Sequence, residues 1–212
     1  MKQLLLALGL ACVLLLPACS AETRVSTIRE RAEKGDARAE ALMGEMYATG
    51  AGVKKDYAQA IRWYRQSAAK DYAQAQYNLG VLYERGEGVP KSDAQAAVWY
   101  ERAAAHGLAA AEYNMGVFCE RGRGVRRDAA AASKWYQRAA RQGQADAQYN
   151  LGALYAQRNN PAEAYFWFGL AAKYGDADAA RMRDRAGARL PSGEAAAIER
   201  RVRIWRPAIV TG

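Results

Sequence analysis

The apolar positions fall into short helical stripes separated by glycine-rich breaks. From Ala73 the residues Ala73, Ala75, Gln76, Leu79, Gly80, Leu82 and Tyr83 lie on one side of a helix at 3.6 residues per turn, with Gln76 its one amide. Glu84 to Pro90 breaks that pattern, and Gly86 or Gly88 can take the left-handed conformation that ends a helix. Val89 is expected to fold back onto the helix pair. A second helix is predicted to start at Ser92 or Asp93, either a good N-cap, and to carry Ala96, Trp99, Tyr100, Ala103 and Ala104 at three- and four-residue spacing. His106-Gly107 closes the segment. The product is a helix hairpin.

The hairpin recurs every 36 residues: Met43-Gly44, Leu79-Gly80, Met115-Gly116 and Leu151-Gly152 keep that step, as do Trp63-Tyr64, Trp99-Tyr100 and Trp135-Tyr136. A fixed period of this size marks stacked units that bury their stripes only against neighbours. Gly80 and the small pair Ala103-Ala104 allow close helix approach, and Trp99 and Tyr100 fill the wider gaps. The units run Ala37–Tyr72, Ala73–Leu108, Ala109–Gln144 and Ala145–Asp176. The fourth departs: Trp167 follows Trp135 by 32 residues, and Arg158-Asn159-Asn160-Pro161 replaces the Gly-x-Gly-Val loop. A partial fifth unit, Ala177 to Ala188, precedes a break at Leu190-Pro191-Ser192. Ser192 is expected to cap a last helix, whose stripe Ala195, Ile198, Val202 and Trp205 covers the open end; Val25 to Lys34 should cover the other.

Several columns together, Ala-Gln-Tyr-Asn-Leu-Gly at 75–80, Gly-x-Gly-Val and Trp-Tyr followed by Ala-Ala, resemble the Sel-one-like repeat, a cousin of the tetratricopeptide repeat. The resemblance covers about Ala37 to Asp176. It implies an all-α fold, a right-handed superhelical solenoid of stacked helix hairpins, whose role is protein–protein contact and whose first helices line a concave groove. On those helices the face opposite the core stripe carries Gln74, Tyr77, Asn78, Val81, Glu84 and Arg85; then Tyr113, Asn114, Val117, Glu120 and Arg121; then Tyr149 and Asn150. A Tyr-Asn-Val stripe on a face that should be polar is an interaction signal, with Tyr giving amphipathic area and Asn hydrogen bonds. The competing expectation is that these Tyr and Asn pack against the adjacent repeat. The first unit lacks both at the matching positions.

The start of the chain carries an address. Leu4 to Leu16 is an uncharged apolar run of 13 residues after Lys2, short of the roughly 20 a spanning helix needs. Its ending, Leu16-Pro17-Ala18-Cys19-Ser20, resembles a bacterial lipobox, with Pro17 unusual for it. The expectation is a signal at 1–18, lipid on Cys19, a tether and helix at 19–36, repeats at 37–189 and a capping helix and tail at 190–212. Ser20 in place of Asp resembles the outer-membrane class, so the predicted location is the periplasmic face of the outer membrane, with the soluble periplasm as alternative. At about 3.3 Å per residue, the stretch from Cys19 to Val25 would hold the repeats within roughly 20 Å of the bilayer.

Charge then bears on partners. A net charge of +9 favours acidic partners or anionic lipid, and an exported chain does not routinely meet nucleic acid. Arg121 to Arg127 and the group Arg200, Arg201, Arg203 and Arg206 are the two basic clusters, expected either as solvated surface or as contacts for an acidic partner surface or anionic lipid. Cys119 replaces the Tyr of column 47, 83 and 155 and is expected to be a buried, unpaired thiol. His106 is the one histidine, and no Cys/His spacing suits zinc, so neither metal nor cofactor is expected. The Gly-x-Gly strings follow helices and lack a Gly-Lys-Ser/Thr continuation, which excludes a phosphate loop. No nucleophile motif supports an enzyme. The functional expectation is a non-enzymatic scaffold or adaptor for a protein partner. The alternative is an immunity protein neutralising a phospholipase toxin delivered by type VI secretion, as the resemblance implies for some exported relatives.

Overall fold

A computed structural model describes residues 16–173 and 175–208, with side chains from residue 23. The signal segment up to Leu15 and the side chains of Pro17 and Cys19 lie outside the described residues. Eleven helices and no strand occur among the described residues. The described residues form two compact units, divided between Ala75 and Gln76 inside α4 (Ala73–Arg85).

The first unit holds α1 (Leu16–Glu33), α2 (Ala37–Thr49) and α3 (Tyr57–Ala68). The residues between Cys19 and Val25 belong to α1, so at about 1.5 Å per residue they advance about 9 Å, not the 20 Å of an extended tether. Asp36 and Asp56 cap α2 and α3 by accepting from the backbone N–H of Ala39 and Gln59. Ala32, Ala39, Met43 and Trp63 form the core here. Glu40 is buried, and its carboxylate receives Lys70 at 2.6 Å.

The second unit continues α4 and adds α5 (Asp93–Ala105), α6 (Ala109–Arg121), α7 (Ala129–Arg141), α8 (Ala145–Gln157), α9 (Pro161–Ala172), α10 (Ala177–Gly187) and α11 (Glu194–Ile204). Consecutive helices pack as hairpins, and α10 and α11 both lie on α9. Ser92 is the N-cap of α5, accepting from Gln95 N–H at 3.2 Å. The aromatic after each Trp sits on the glycine of its own hairpin's first helix: a Cβ on Gly80 or Gly116 would come within 2.6 or 2.5 Å of the Tyr100 or Tyr136 ring. Those tyrosines are fully buried, whereas Trp99 and Trp135 are half-buried beneath the guanidinium groups of Arg102 and Arg138. Trp99 therefore fills less of the interior than its size predicts.

In the fourth unit Asn159 takes the positive φ, 58°, that glycine supplies elsewhere, and Asn160 caps α9 ahead of Pro161. At the end of the chain Ser192 is not the cap. Gly193 occupies that position with φ 84° and no side-chain bond, because the turn after Pro191 needs a left-handed residue. Ile198 is buried and Ala195, Val202 and Trp205 are half-buried, so the expected stripe does face the core.

Candidate partner-binding face

In the second unit the predicted residues lie on α4, α6 and α8 at matching positions. Each Tyr leans on the aromatic of its own hairpin: Tyr77 on Tyr100 at 5.5 Å between ring centroids, Tyr113 on Tyr136 at 6.0 Å, Tyr149 on Phe168 at 5.4 Å. One side of each ring is thus spent internally, and all three remain half-buried. Val81 and Val117 are half-buried against the core, and Arg85 and Arg121 are exposed. Gln74 is exposed and falls at the start of α4, in the first unit.

The Asn column has an internal duty. The Asn114 amide faces the Tyr100 hydroxyl and the Asn150 amide those of Tyr136 and Tyr113, favouring their ionised forms against the effect of burial, so each amide points to the preceding hairpin. Asn78 is also half-buried. Packing against the adjacent repeat, the competing expectation, is real for Asn114 and Asn150. Both stay half-exposed and keep capacity for one more bond.

A cleft of about 540 Å³ opens on this face. Its floor is Tyr77, Val81, Tyr100 and Asn114, and its rim is Glu84, Arg85, Glu87, Lys91 and Arg123. Arg123 closes one side. Its Nη1 donates to Glu84 Oε1 at 2.8 Å, its Nη2 to Asp93 Oδ1 at 2.8 Å and its Nε to Asp93 Oδ2 at 3.1 Å. Glu84 Oε2 accepts the Tyr100 hydroxyl at 2.5 Å. The guanidinium also lies 4.6 Å from the Phe118 ring centroid. Arg123 holds the Asp93 carboxyl below its ordinary range. Burial first, then the Glu84 carboxylate, push the Tyr100 phenol up, so it remains a donor at physiological pH.

Glu84 was expected on this face, but Arg123, Asp93 and Tyr100 were not, because Arg123 reads as one of a run of surface arginines. Gly124 was the available signal. It lets the loop touch the start of α5, where a Cβ would sit 2.3 Å from the Asp93 carbonyl. The rest of that run behaves as surface: Arg126 has a side chain 91% exposed and Arg127 donates to the Glu120 carbonyl. In the C-terminal cluster Arg201 reaches Glu163 at 3.4 Å and covers Phe166, while Arg200, Arg203 and Arg206 are exposed. Cys119 is buried, and burial raises its thiol pKa.

Comparison with known proteins places this geometry in a family. The Sel1 repeat model matches residues 37–72, 73–108, 109–144 and 145–176. No curated protein sequence matches. Among solved structures, c5321, a protective antigen of uropathogenic Escherichia coli with an SLR fold, aligns at 35% identity and TM-score 0.74 over 78% of this chain and 36% of its own. The chain therefore spans about a third of that relative's length. A Sel1 repeat protein from Oxalobacter formigenes aligns at 30% identity and TM-score 0.73, over 86% of this chain and 79% of its own. Immunity protein Pa5087 from Pseudomonas aeruginosa shares the fold at 19% identity and TM-score 0.53, over 86% of this chain and 74% of its own. Repeats, hairpins and neighbours agree: the chain belongs to the Sel1-repeat family, an all-α branch of the tetratricopeptide-like solenoids.

Proposed function

We propose that this chain is a non-enzymatic, lipid-tethered protein of the periplasm, facing it from the outer membrane, that holds a protein partner on the face carried by α4, α6 and α8. The observation that carries the reading is the cleft of about 540 Å³ with half-buried Tyr77 and Val81 at its floor and Arg85 and Lys91 at its rim. A half-buried aromatic beside an aliphatic residue, ringed by charge, is the layout of an interface hot spot. Arg85, Lys91 and the net charge of +9 favour a segment that brings an apolar side chain next to a carboxylate. The soluble periplasm remains the alternative location.

The test is affinity capture from crosslinked envelope by the chain and by a Val81→Asp variant of unchanged melting temperature. A stoichiometric partner that Val81→Asp weakens at least thirtyfold, about 2 kcal/mol, supports the cleft. Equal capture by both proteins sinks it. An immunity role is the second reading, favoured by the fold shared with Pa5087. It predicts one secreted hydrolase as partner, whose toxicity in the periplasm co-expression suppresses. Capture of resident envelope proteins alone argues for the scaffold.

A further inference from the structure

The first unit carries a second opening, of about 590 Å³, between α1 and the loop from Gly50 to Asp56. Its lining includes Arg29, Lys54, Lys55 and Tyr47, and its one carboxylate is Asp56. That carboxylate is already engaged, accepting the Gln59 N–H at 3.0 Å as the cap of α3. The cations are treated unequally along α1. Arg31 pairs with Asp36 and Lys34 with Glu30, each at 2.6 Å. Arg29, by contrast, donates to the Tyr47 hydroxyl at 3.3 Å, and among the described residues neither it nor Lys54 has a carboxylate partner. Lys55 adds a third ammonium, over the Tyr57 ring at 4.6 Å. Three cations and a phenol thus line an opening against one carboxylate, which leaves it positive.

We infer that this opening binds a phosphate-bearing anion, a phosphate mono- or diester, with Arg29 as the forked donor and Lys54 and Lys55 as point charges. The inference is independent of the partner-binding face, whose residues lie on other helices. The helical rise of α1 puts Arg29 about 15 Å along the axis from residue 19, so a bilayer that holds a lipid on Cys19 would meet Arg29 where α1 runs along its surface. An anionic phospholipid headgroup is the source this placement favours.

The experiment uses the chain from residue 19 onward carrying Cys19→Ser, which removes both the apolar run and any lipid. Co-sedimentation is measured with phosphatidylcholine vesicles with and without 30 mol% phosphatidylglycerol, at low and at physiological salt. Binding to the anionic vesicles is expected, with a loss of about fivefold for Arg29→Ala and again for Lys54→Ala, the size expected of one cation at an anionic surface. Arg24→Ala, an equal change of charge on the same helix outside the opening, should cost less than twofold. Tyr47→Phe, which keeps the ring, should cost about threefold. A parallel arm titrates glycerol 3-phosphate and follows the amide resonances of residues 50–56. Shifts there without vesicle binding would support the site and assign a soluble phosphate ester as its ligand. No response in either arm, or equal losses for Arg24→Ala and Arg29→Ala, overturns the inference.

Discussion

Replacing Arg123 with Ala removes three charge-assisted hydrogen bonds, to Glu84 at 2.8 Å and to Asp93 at 2.8 and 3.1 Å, together with a contact over Phe118. The three charged side chains are 28 to 31% exposed, between a surface pair and a buried one. Exposed pairs contribute about 0–1 kcal/mol and a broken buried pair costs about 3–5. Interpolation, with water able to reach the abandoned carboxylates, gives a loss of about 2–3 kcal/mol. For a chain of this size that lowers Tm by roughly 5–10 °C. Because Arg123 stands on the loop after α6 while Glu84 and Asp93 stand on α4 and α5, the loss falls on one inter-repeat junction. Hydrogen exchange should therefore quicken at α5 and α6 more than at α9, as nearest-neighbour stacking requires. Arg123→Lys should recover less than half, since an ammonium cannot make the forked contact to Asp93. A double-mutant cycle of Arg123→Ala with Asp93→Asn measures the pair itself, and a coupling of at least about 1 kcal/mol is expected. A loss below about 0.5 kcal/mol with no coupling would refute the argument and reduce Arg123 to one more solvated arginine.

Gly124→Ala should cost about 1–2 kcal/mol more than Gly122→Ala in chemical denaturation. Both have positive φ, but at Gly124 the new Cβ would clash with backbone, 2.3 Å from the Asp93 carbonyl, whereas at Gly122 its nearest neighbour is the Arg127 Cβ at 3.1 Å and backbone stays at 3.5 Å; equal costs would deny the close approach. Cys119 should react with a thiol reagent at least a hundredfold more slowly in the native chain than in denaturant, because its burial disfavours the thiolate; fast native labelling contradicts that. Acid should destabilise the fold through its capping and paired aspartates. Asp36 and Asp128 are held low by backbone N–H groups and Asp93 by Arg123, so their stabilisation is complete above the ordinary value of 3.8 and is lost as pH falls through the depressed values. Thermal melts should show Tm falling below about pH 4, and Asp93→Asn should flatten that fall.

The hairpins were legible in the sequence because their signals are local. Gly80 with Tyr100, Ser92 as a cap and the small pair Ala103-Ala104 each act within one unit, and a 36-residue period repeats the evidence. The end of the chain was harder. Ser192 is a good N-cap residue by type, yet the left-handed turn at Gly193 decides where α11 begins. The candidate face was half legible. The Tyr, Asn and Val columns lie on one face as periodicity predicts, but periodicity cannot say that Asn114 and Asn150 already face the hydroxyls of Tyr100 and Tyr136. Arg123 was invisible for a related reason: its contacts span 30 and 39 residues, and its forked partner Asp93 repeats in no column.

Glu40, Gln76, Glu112 and Gln148 occupy one buried column at 36-residue steps, alternating acid and amide. Each acid is paired from the second half of its own unit: Glu40 with Lys70, just past α3, at 2.6 Å, and Glu112 with Arg138 of α7 at 2.7 Å, with the Gln142 amide at the end of α7 also donating to it at 2.7 Å. A genetic crossover inside a unit, joining one unit's first helix to another's second, would bring Glu112 against a stranger. Where the newcomer lacks a cation, a carboxylate is left buried and unpaired, at a cost of several kcal/mol. A crossover at the unit borders carries acid and partner together and costs nothing of the kind. The heritable module of this chain is thus the whole hairpin, and its ancestry by duplication should be readable as copies that begin near residues 37, 73 and 109.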